Sequence, residues 1–218
     1  MIRLCIFDMD GTIVDSLQSI AWFANQTLLR HGLAPFPVED YKQMVGNGAA
    51  LLIERALRCN GTTMDAHPDV LPEYVQSYDA EPLYLAAPYD GVPDMLAALR
   101  SMGCRLAVLS NKPHNTTCSI AKALFGDMLD ACLGARDGVP LKPAPDGVFE
   151  LLAQLNIAPE ECLYIGDTGT DMKTAVNAGL YAVGVSWGFR DVPELMASGA
   201  DVVIHHPMEL VSIAEAKK

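Results

Sequence analysis

Ile2-Arg3-Leu4-Cys5-Ile6-Phe7-Asp8-Met9-Asp10-Gly11-Thr12 decides how this chain is to be read. The short, mainly apolar run from Ile2 to Phe7 stops at an Asp-Gly turn signal, the pattern of a buried strand that ends in a loop. A lone Asp-Gly is an ordinary turn. The full string D-x-D-G-T is rarer: at average residue usage it arises by chance in roughly a few chains per thousand of this length. In parallel α/β sheets, ligands sit outside the carboxyl ends of the strands. Asp8 and Asp10 therefore fall where chemistry is done.

Working outward, Leu106–Leu109, Cys162–Ile165, Ala182–Val185 and Val202–Ile204 read as further buried strands. Helical patterns lie between them. In Val92–Met102, the residues Met95, Leu96, Leu99 and Met102 share one face, and Gly103 follows as a stop. Phe149–Leu155 and Asp171–Ala178 are two more. Strand and helix alternate, so the expected class is α/β, a parallel sheet covered by helices on both sides. Residues 15–87 break the rhythm, with helical patterns near Leu17–Arg30, Ala49–Cys59 and Val70–Tyr78 and punctuation by Pro35, Pro37, Pro68 and Pro82. This reads as an all-helical insertion, giving a core of 1–14 plus 88–218 and a cap of 15–87.

The 218 residues are 50% hydrophobic, enough for a sizeable core, and carry a formal net charge of -12. Nucleic-acid binding needs basic stripes, which this chain lacks. No apolar run approaches the roughly 18 residues of a membrane span. The six cysteines are widely spaced without a C-x-x-C pair, which points to reduced thiols and a cytoplasmic protein. Because an acidic protein repels anions in general, any phosphate site must be made attractive locally by a metal, a lysine or backbone N–H groups.

Other polar residues fall at places equivalent to Asp8. Ser110 and Asn111 follow Leu106–Leu109. Asp167 and Asp171 follow Cys162–Ile165 in Gly166-Asp167-Thr168-Gly169-Thr170-Asp171, and Lys142 lies in Leu141-Lys142-Pro143 before a helix. Each alone has a structural explanation as a strand end, a helix cap or a solvated loop lysine. Together they converge on one sheet edge, where four carboxylates repel unless a cation sits among them. Magnesium suits such a set, since it takes a few carboxylates, waters and substrate phosphate oxygens.

On these residues the chain resembles the haloacid dehalogenase superfamily, in its phosphatase branch: Asp8 and Asp10 in DMDGT, Ser110 in LSNKP, Lys142 in LKPAP, Asp167 and Asp171 in GDTGTD. The resemblance spans nearly the whole core and implies a Rossmann-like fold with a cap at the insertion point. Val45-Gly46-Asn47-Gly48, Ser110-Asn111-Lys112-Pro113 and Trp187-Gly188-Phe189-Arg190 are similar to the phosphoglycolate phosphatase subgroup. It implies Asp8 as nucleophile, Asp10 as general acid and base, and Ser110 and Lys142 on the transferring phosphoryl group. Magnesium is then held by Asp8, the Asp10 backbone carbonyl and Asp167, with Asp171 helping through water or by orienting Lys142. Thr12, Asn47, Asn111 and Lys112 are expected to contact a small phosphorylated metabolite, in a monomer or homodimer.

A phosphoacceptor signalling domain also places carboxylates, a hydroxyl and a lysine at strand ends, but needs neither Asp10 nor a helical cap. A sugar phosphomutase and a pyrophosphatase remain open. A phosphonatase requires a Schiff-base lysine from the cap, where Lys42 is the only lysine. His205 and His206 are neighbours and point to opposite faces of an extended segment, a poor metal pair. His114 could approach the site, while Trp187 and Phe189 read as packing residues nearby.

Overall fold

The structure is a computed structural model and describes residues 1–217. Its strands are β1 (Leu4–Phe7), β2 (Val14–Asp15), β3 (Ala87–Pro88), β4 (Arg105–Pro113), β5 (Ala131–Ala135), β6 (Cys162–Gly166), β7 (Tyr181–Val185) and β8 (Val202–Ile204). The helices are α1 (Leu17–Arg30), α2 (Tyr41–Met44), α3 (Ala49–Cys59), α4 (Val70–Ala80), α5 (Val92–Ser101), α6 (His114–Phe125), α7 (Asp146–Leu155), α8 (Gly169–Ala178), α9 (Val192–Ala197) and α10 (Glu209–Ala216). Two compact units result, Met1–Asp15 with Pro88–Lys218 and Ser16–Ala87.

In the first unit six strands form one sheet in the order β5-β4-β1-β6-β7-β8, with parallel pairing between each set of neighbours. The chain runs outward from β1 on one side through β4 and β5, then returns to build β6, β7 and β8 on the other. The strand order thus reverses at β1, and the crevice at its carboxyl end is the topological switch point where α/β sheets bind ligands. All four residues of β1 are buried, as a central strand covered on both faces requires. Helix α5 buries Val92, Met95, Leu96 and Leu99, the i, i+3, i+4, i+7 stripe of a helix laid on a core. Truncating fully buried Leu96 to alanine costs about 2–5 kcal/mol by the usual cavity rule.

The structure adds elements that the sequence patterns miss. Strand β5, Ala-Cys-Leu-Gly-Ala, has too little β-branched or aromatic character to stand out; it forms by pairing with β4. That pairing carries β4 beyond Leu109 as far as Pro113, across a register shift, so Ser110, Asn111 and Lys112 lie within the strand rather than after it. Helices α2, α6, α9 and α10 are also additional.

The second unit holds α1 to α4. The Asn25 carboxamide ties it internally: its Oδ1 accepts from the Tyr41 hydroxyl at 2.7 Å and the Phe36 N–H at 2.9 Å, and its Nδ2 donates to the Phe36 carbonyl. Phe23 and Tyr78 meet edge to face at 5.3 Å. No helix among the described residues is long and apolar enough to cross a membrane.

Candidate active site

Asp8 is the first residue beyond β1, and its N–H donates to the Ile165 carbonyl at 2.8 Å. The chain then turns tightly, with the N–H groups of Thr12, Ile13 and Val14 all directed at the Met9 carbonyl. Gly11 makes the turn possible at φ +84°, in the left-handed region open to glycine. The turn presses Thr12 against the next strand end, where its hydroxyl donates to Asp167 Oδ1 at 3.0 Å.

Asp167 and Asp171 follow β6. The Phe189 N–H donates to Asp167 Oδ2 at 2.8 Å, so both carboxylate oxygens are held. Thr168 caps α8 in a reciprocal box: its hydroxyl donates to Asp171 Oδ2 at 2.6 Å, and its N–H to the same oxygen at 3.1 Å. A box of this type satisfies helix-start donors and fixes its acidic partner. With Oδ2 held there, Asp171 Oδ1 receives the Lys142 ammonium at 2.7 Å and the Tyr164 hydroxyl at 3.4 Å.

Lys142 Nζ also lies 2.7 Å from Asp8 Oδ1, with the lysine side chain 3% exposed. Its backbone is gripped by Asn111, whose Oδ1 accepts from the Lys142 N–H at 2.9 Å and whose Nδ2 donates to the Lys142 carbonyl at 3.1 Å. Ser110, also buried, accepts from the Lys112 N–H at 3.2 Å. The Lys112 ammonium extends to Asp10 Oδ1 at 2.8 Å.

Asp8, Asp167 and Lys142 are far from their behaviour in water. Burial, then the charge of Asp171, pushes the Asp8 carboxyl up to about 7 against the opposing pull of Lys142. Burial, followed by Asp171 and Asp8, likewise raises Asp167, although the Phe189 N–H and Thr12 hydroxyl work the other way. Burial alone would lower Lys142; Asp171 and Asp8 outweigh it and hold its ammonium well above the ordinary lysine range. Three buried carboxylates, Asp8, Asp167 and Asp171, each offer an oxygen within 4.8 Å of the others. Such crowding of negative charge strongly favours a bound cation, and an all-oxygen donor set suits a hard one such as magnesium. The residues present fit that ion.

The expected residues separate as follows. Asp8, Asp10, Ser110, Lys112, Lys142, Asp167 and Asp171 share one network at the sheet's switch point. Thr12 and Asn111 belong to it through bonds to Asp167 and Lys142. Asn47 lies in the other unit, ahead of α3, where its Oδ1 accepts from Arg55 Nη2 at 3.0 Å. Lys42 pairs with Glu39 at 2.8 Å with a side chain 37% exposed, unlike the desolvated amine a Schiff base needs. His114 accepts from the Gly134 N–H, and His205 meets Ser186. The backbone role of Phe189 is invisible to pattern reading. The Trp187 indole, expected as a packing residue near the site, donates to the Thr12 carbonyl at 3.0 Å, and Gly188 lets its loop approach Asp167.

The family model for haloacid dehalogenase-like hydrolases matches residues 2–179. A phosphoglycolate phosphatase of Caulobacter vibrioides is 33% identical over 202 residues, covering 91% of this chain and 85% of its own. An N-acetylmuramic acid 6-phosphate phosphatase of Pseudomonas aeruginosa is 30% identical over 219 residues, covering 98% and 95%. The crystal structure of a candidate phosphoglycolate phosphatase from Lactobacillus delbrueckii subsp. bulgaricus superposes with a TM-score of 0.93 at 32% identity, covering 97% of this chain and 98% of the other.

Proposed function

The chain belongs to the haloacid dehalogenase-like hydrolases and is a phosphatase, and from that premise we propose that it hydrolyses a small phosphate monoester, 2-phosphoglycolate in the first place, through an aspartyl-phosphate on Asp8 with magnesium. The observation that carries the chemistry is the buried Asp8 carboxylate at the switch point, 2.7 Å from Lys142 and grouped with Asp167 and Asp171.

Phosphate-monoester hydrolysis needs rate gains up to ~10²¹-fold, so the work must be divided. An Asp8 oxygen attacks phosphorus while the ester oxygen leaves with a proton from Asp10, giving an aspartyl-phosphate and an alcohol. Asp10 then takes a proton from a water that attacks the same phosphorus; inorganic phosphate departs and Asp8 is regenerated. Lys142 and Ser110 face the charge on the transferring group. Asp171 orients Lys142, Asn111 fixes its backbone, and Thr12 steadies Asp167. Magnesium would be held by Asp8, Asp167 and the Asp10 carbonyl, with Asp171 close by; when bound it neutralises the site and the phosphate oxygens. The helical unit is proposed as a cap that excludes water, and Asn47 as a substrate contact that it supplies. Six cysteines that form no disulfide among the described residues support a cytoplasmic location.

Phosphoglycolate is favoured by the named relatives and by the small substrate a cap implies. N-acetylmuramic acid 6-phosphate is the second reading, favoured by the Pseudomonas relative that spans nearly the whole chain. Both compounds carry a carboxylate, one methylene from the ester oxygen in phosphoglycolate and on the 3-O-lactyl arm, across the sugar ring from the 6-phosphate, in N-acetylmuramic acid 6-phosphate. Phosphate release should be measured with magnesium across 2-phosphoglycolate, N-acetylmuramic acid 6-phosphate, hexose phosphates, pyrophosphate and phosphonoacetaldehyde. The highest kcat/KM is expected for phosphoglycolate. A sugar phosphate or pyrophosphate turned over far better would overturn that substrate while leaving the phosphatase standing. Interconversion of hexose phosphates without phosphate release would make the enzyme a mutase.

A further inference from the structure

We infer that Lys112 reads a second negative group on the substrate, a carboxylate borne by the leaving alcohol, and that this contact draws Lys112 away from Asp10 as the substrate settles. The inference rests on the reading above, in which Asp10 serves the leaving oxygen, and deepens it by assigning the residue that selects the substrate class.

The site gathers four carboxylates, Asp8, Asp10, Asp167 and Asp171, and two ammonium groups, Lys142 and Lys112. Lys142 is bound on two sides, 2.7 Å from Asp8 and 2.7 Å from Asp171, with a side chain 3% exposed. It has no approach for a third anion beyond the phosphoryl group that meets Asp8. The Lys112–Asp10 pair sits further out: its side chains are 9% and 18% exposed, against 3% and 1% for Lys142 and Asp171. An ion pair at the open side of a site can exchange partners. Replacing the Asp10 carboxylate with a substrate carboxylate keeps a charge-assisted bond at the ammonium and releases Asp10 to the leaving oxygen.

Covalent geometry points the same way. A group that protonates the leaving oxygen must come within about 2.6–3.2 Å of it. In phosphoglycolate the carboxylate carbon is joined to the leaving oxygen through a single methylene. Once Asp10 reaches that oxygen, the substrate carboxylate falls beside Asp10, where Lys112 Nζ already lies 2.8 Å from Asp10 Oδ1. A leaving group without the carboxylate meets the same lysine but offers it nothing, and the ion pair stays closed.

The test compares 2-phosphoglycolate with ethyl phosphate in wild-type protein, Lys112→Met and Lys112→Arg, each checked for fold by circular dichroism. A charge-assisted bond of this kind corresponds to about 10- to 100-fold. Lys112→Met should lower kcat/KM for phosphoglycolate by that factor relative to ethyl phosphate, mainly through KM, so that the preference for the carboxylated ester collapses. Lys112→Arg should keep most of the preference. Calorimetric affinities of 3-phosphonopropionate and propylphosphonate, which are not hydrolysed, should show the same lysine-dependent ratio. If wild-type protein prefers phosphoglycolate and Lys112→Met keeps that preference, or loses both substrates equally, the inference fails alone. If wild-type protein shows no preference for the carboxylated ester, the substrate reading fails and takes the inference with it.

Discussion

Lys142 Nζ and Asp171 Oδ1 lie 2.7 Å apart with side chains 3% and 1% exposed, so the site's most buried cation is aimed by a helix-capping carboxylate. Asp171 can do this because Thr168 holds its other oxygen. Asp171→Asn removes the charge that balances half of Lys142's environment, leaving the ammonium to Asp8. We expect kcat to fall by roughly 10²- to 10³-fold, the usual cost of losing one preorganised charge partner. Steady-state kinetics on 2-phosphoglycolate would detect this; unchanged kcat would show that Lys142 is aimed without Asp171.

Asp8 and Asp10 can be told apart by leaving group. Asp8→Asn keeps the shape and removes the attacking oxygen's charge, so turnover should drop by several orders of magnitude with every substrate. Asp10→Asn should cost roughly 10²- to 10⁴-fold with an alkyl phosphate and much less with an aryl phosphate, whose leaving oxygen needs little protonation. Equal losses on both esters would remove Asp10 from the acid role.

Gly11 has no room for a side chain. A Cβ there would lie 2.7 Å from Asp167 Cγ and 2.8 Å from a Phe189 ring carbon, at a φ of +84°. Gly11→Ala should therefore displace Asp167 and weaken metal affinity about 10- to 100-fold, as loss of supporting contacts around metal ligands usually does, while most of the fold persists. Magnesium titration by calorimetry checks it, since it does not depend on turnover.

The buried strands, the alternation with helices and the placement of Asp8 and Asp167 were legible in the sequence because each is a local signal, an apolar run and then a polar residue at its end, whereas Ser110 lies inside β4 and Lys142, in a loop before a helix, drew its meaning only from the other motifs. Ala131–Ala135 carried no such signal, since an edge strand of alanine, cysteine, leucine and glycine takes its conformation from its neighbour. Partnerships were not legible either. Lys112 with Asp10 joins positions 102 residues apart, and Thr12 with Asp167 joins positions 155 apart; only the folded sheet brings them together.

Asp8, Asp167 and Asp171 crowd three carboxylates into a buried space, which makes metal dependence the expected behaviour. Chelation should abolish turnover and magnesium should restore it. Calcium should inhibit, because its larger and less regular oxygen shell fits in-line attack poorly. Magnesium should also raise the melting temperature of the intact protein, and Asp167→Asn should blunt that rise. Full turnover after exhaustive chelation would exclude the proposed metal site.

In the helical unit, Glu73 receives His31 Nε2 at 2.8 Å and Arg30, and these bonds, His31 first, hold its carboxyl below the ordinary value of 4.5. A carboxyl with a depressed folded value binds its proton less tightly in the folded protein than in the unfolded chain. Its stabilisation is complete above about pH 4.5 and fades as pH falls through the lower folded value. Glu73→Gln should accordingly melt at a lower temperature than wild-type protein at pH 7, and the gap should close on acidification below pH 4.5. The Glu73 side chain is 33% exposed and that of Arg30 47%, so solvent and salt screen the pair and the gap should be small and shrink in high salt. Melting curves at pH 7 and pH 4, with and without added salt, decide it. A gap that widened in acid would mean that Glu73 is stabilised in its protonated form, and the bonds to His31 and Arg30 would not be what holds α1 to α4.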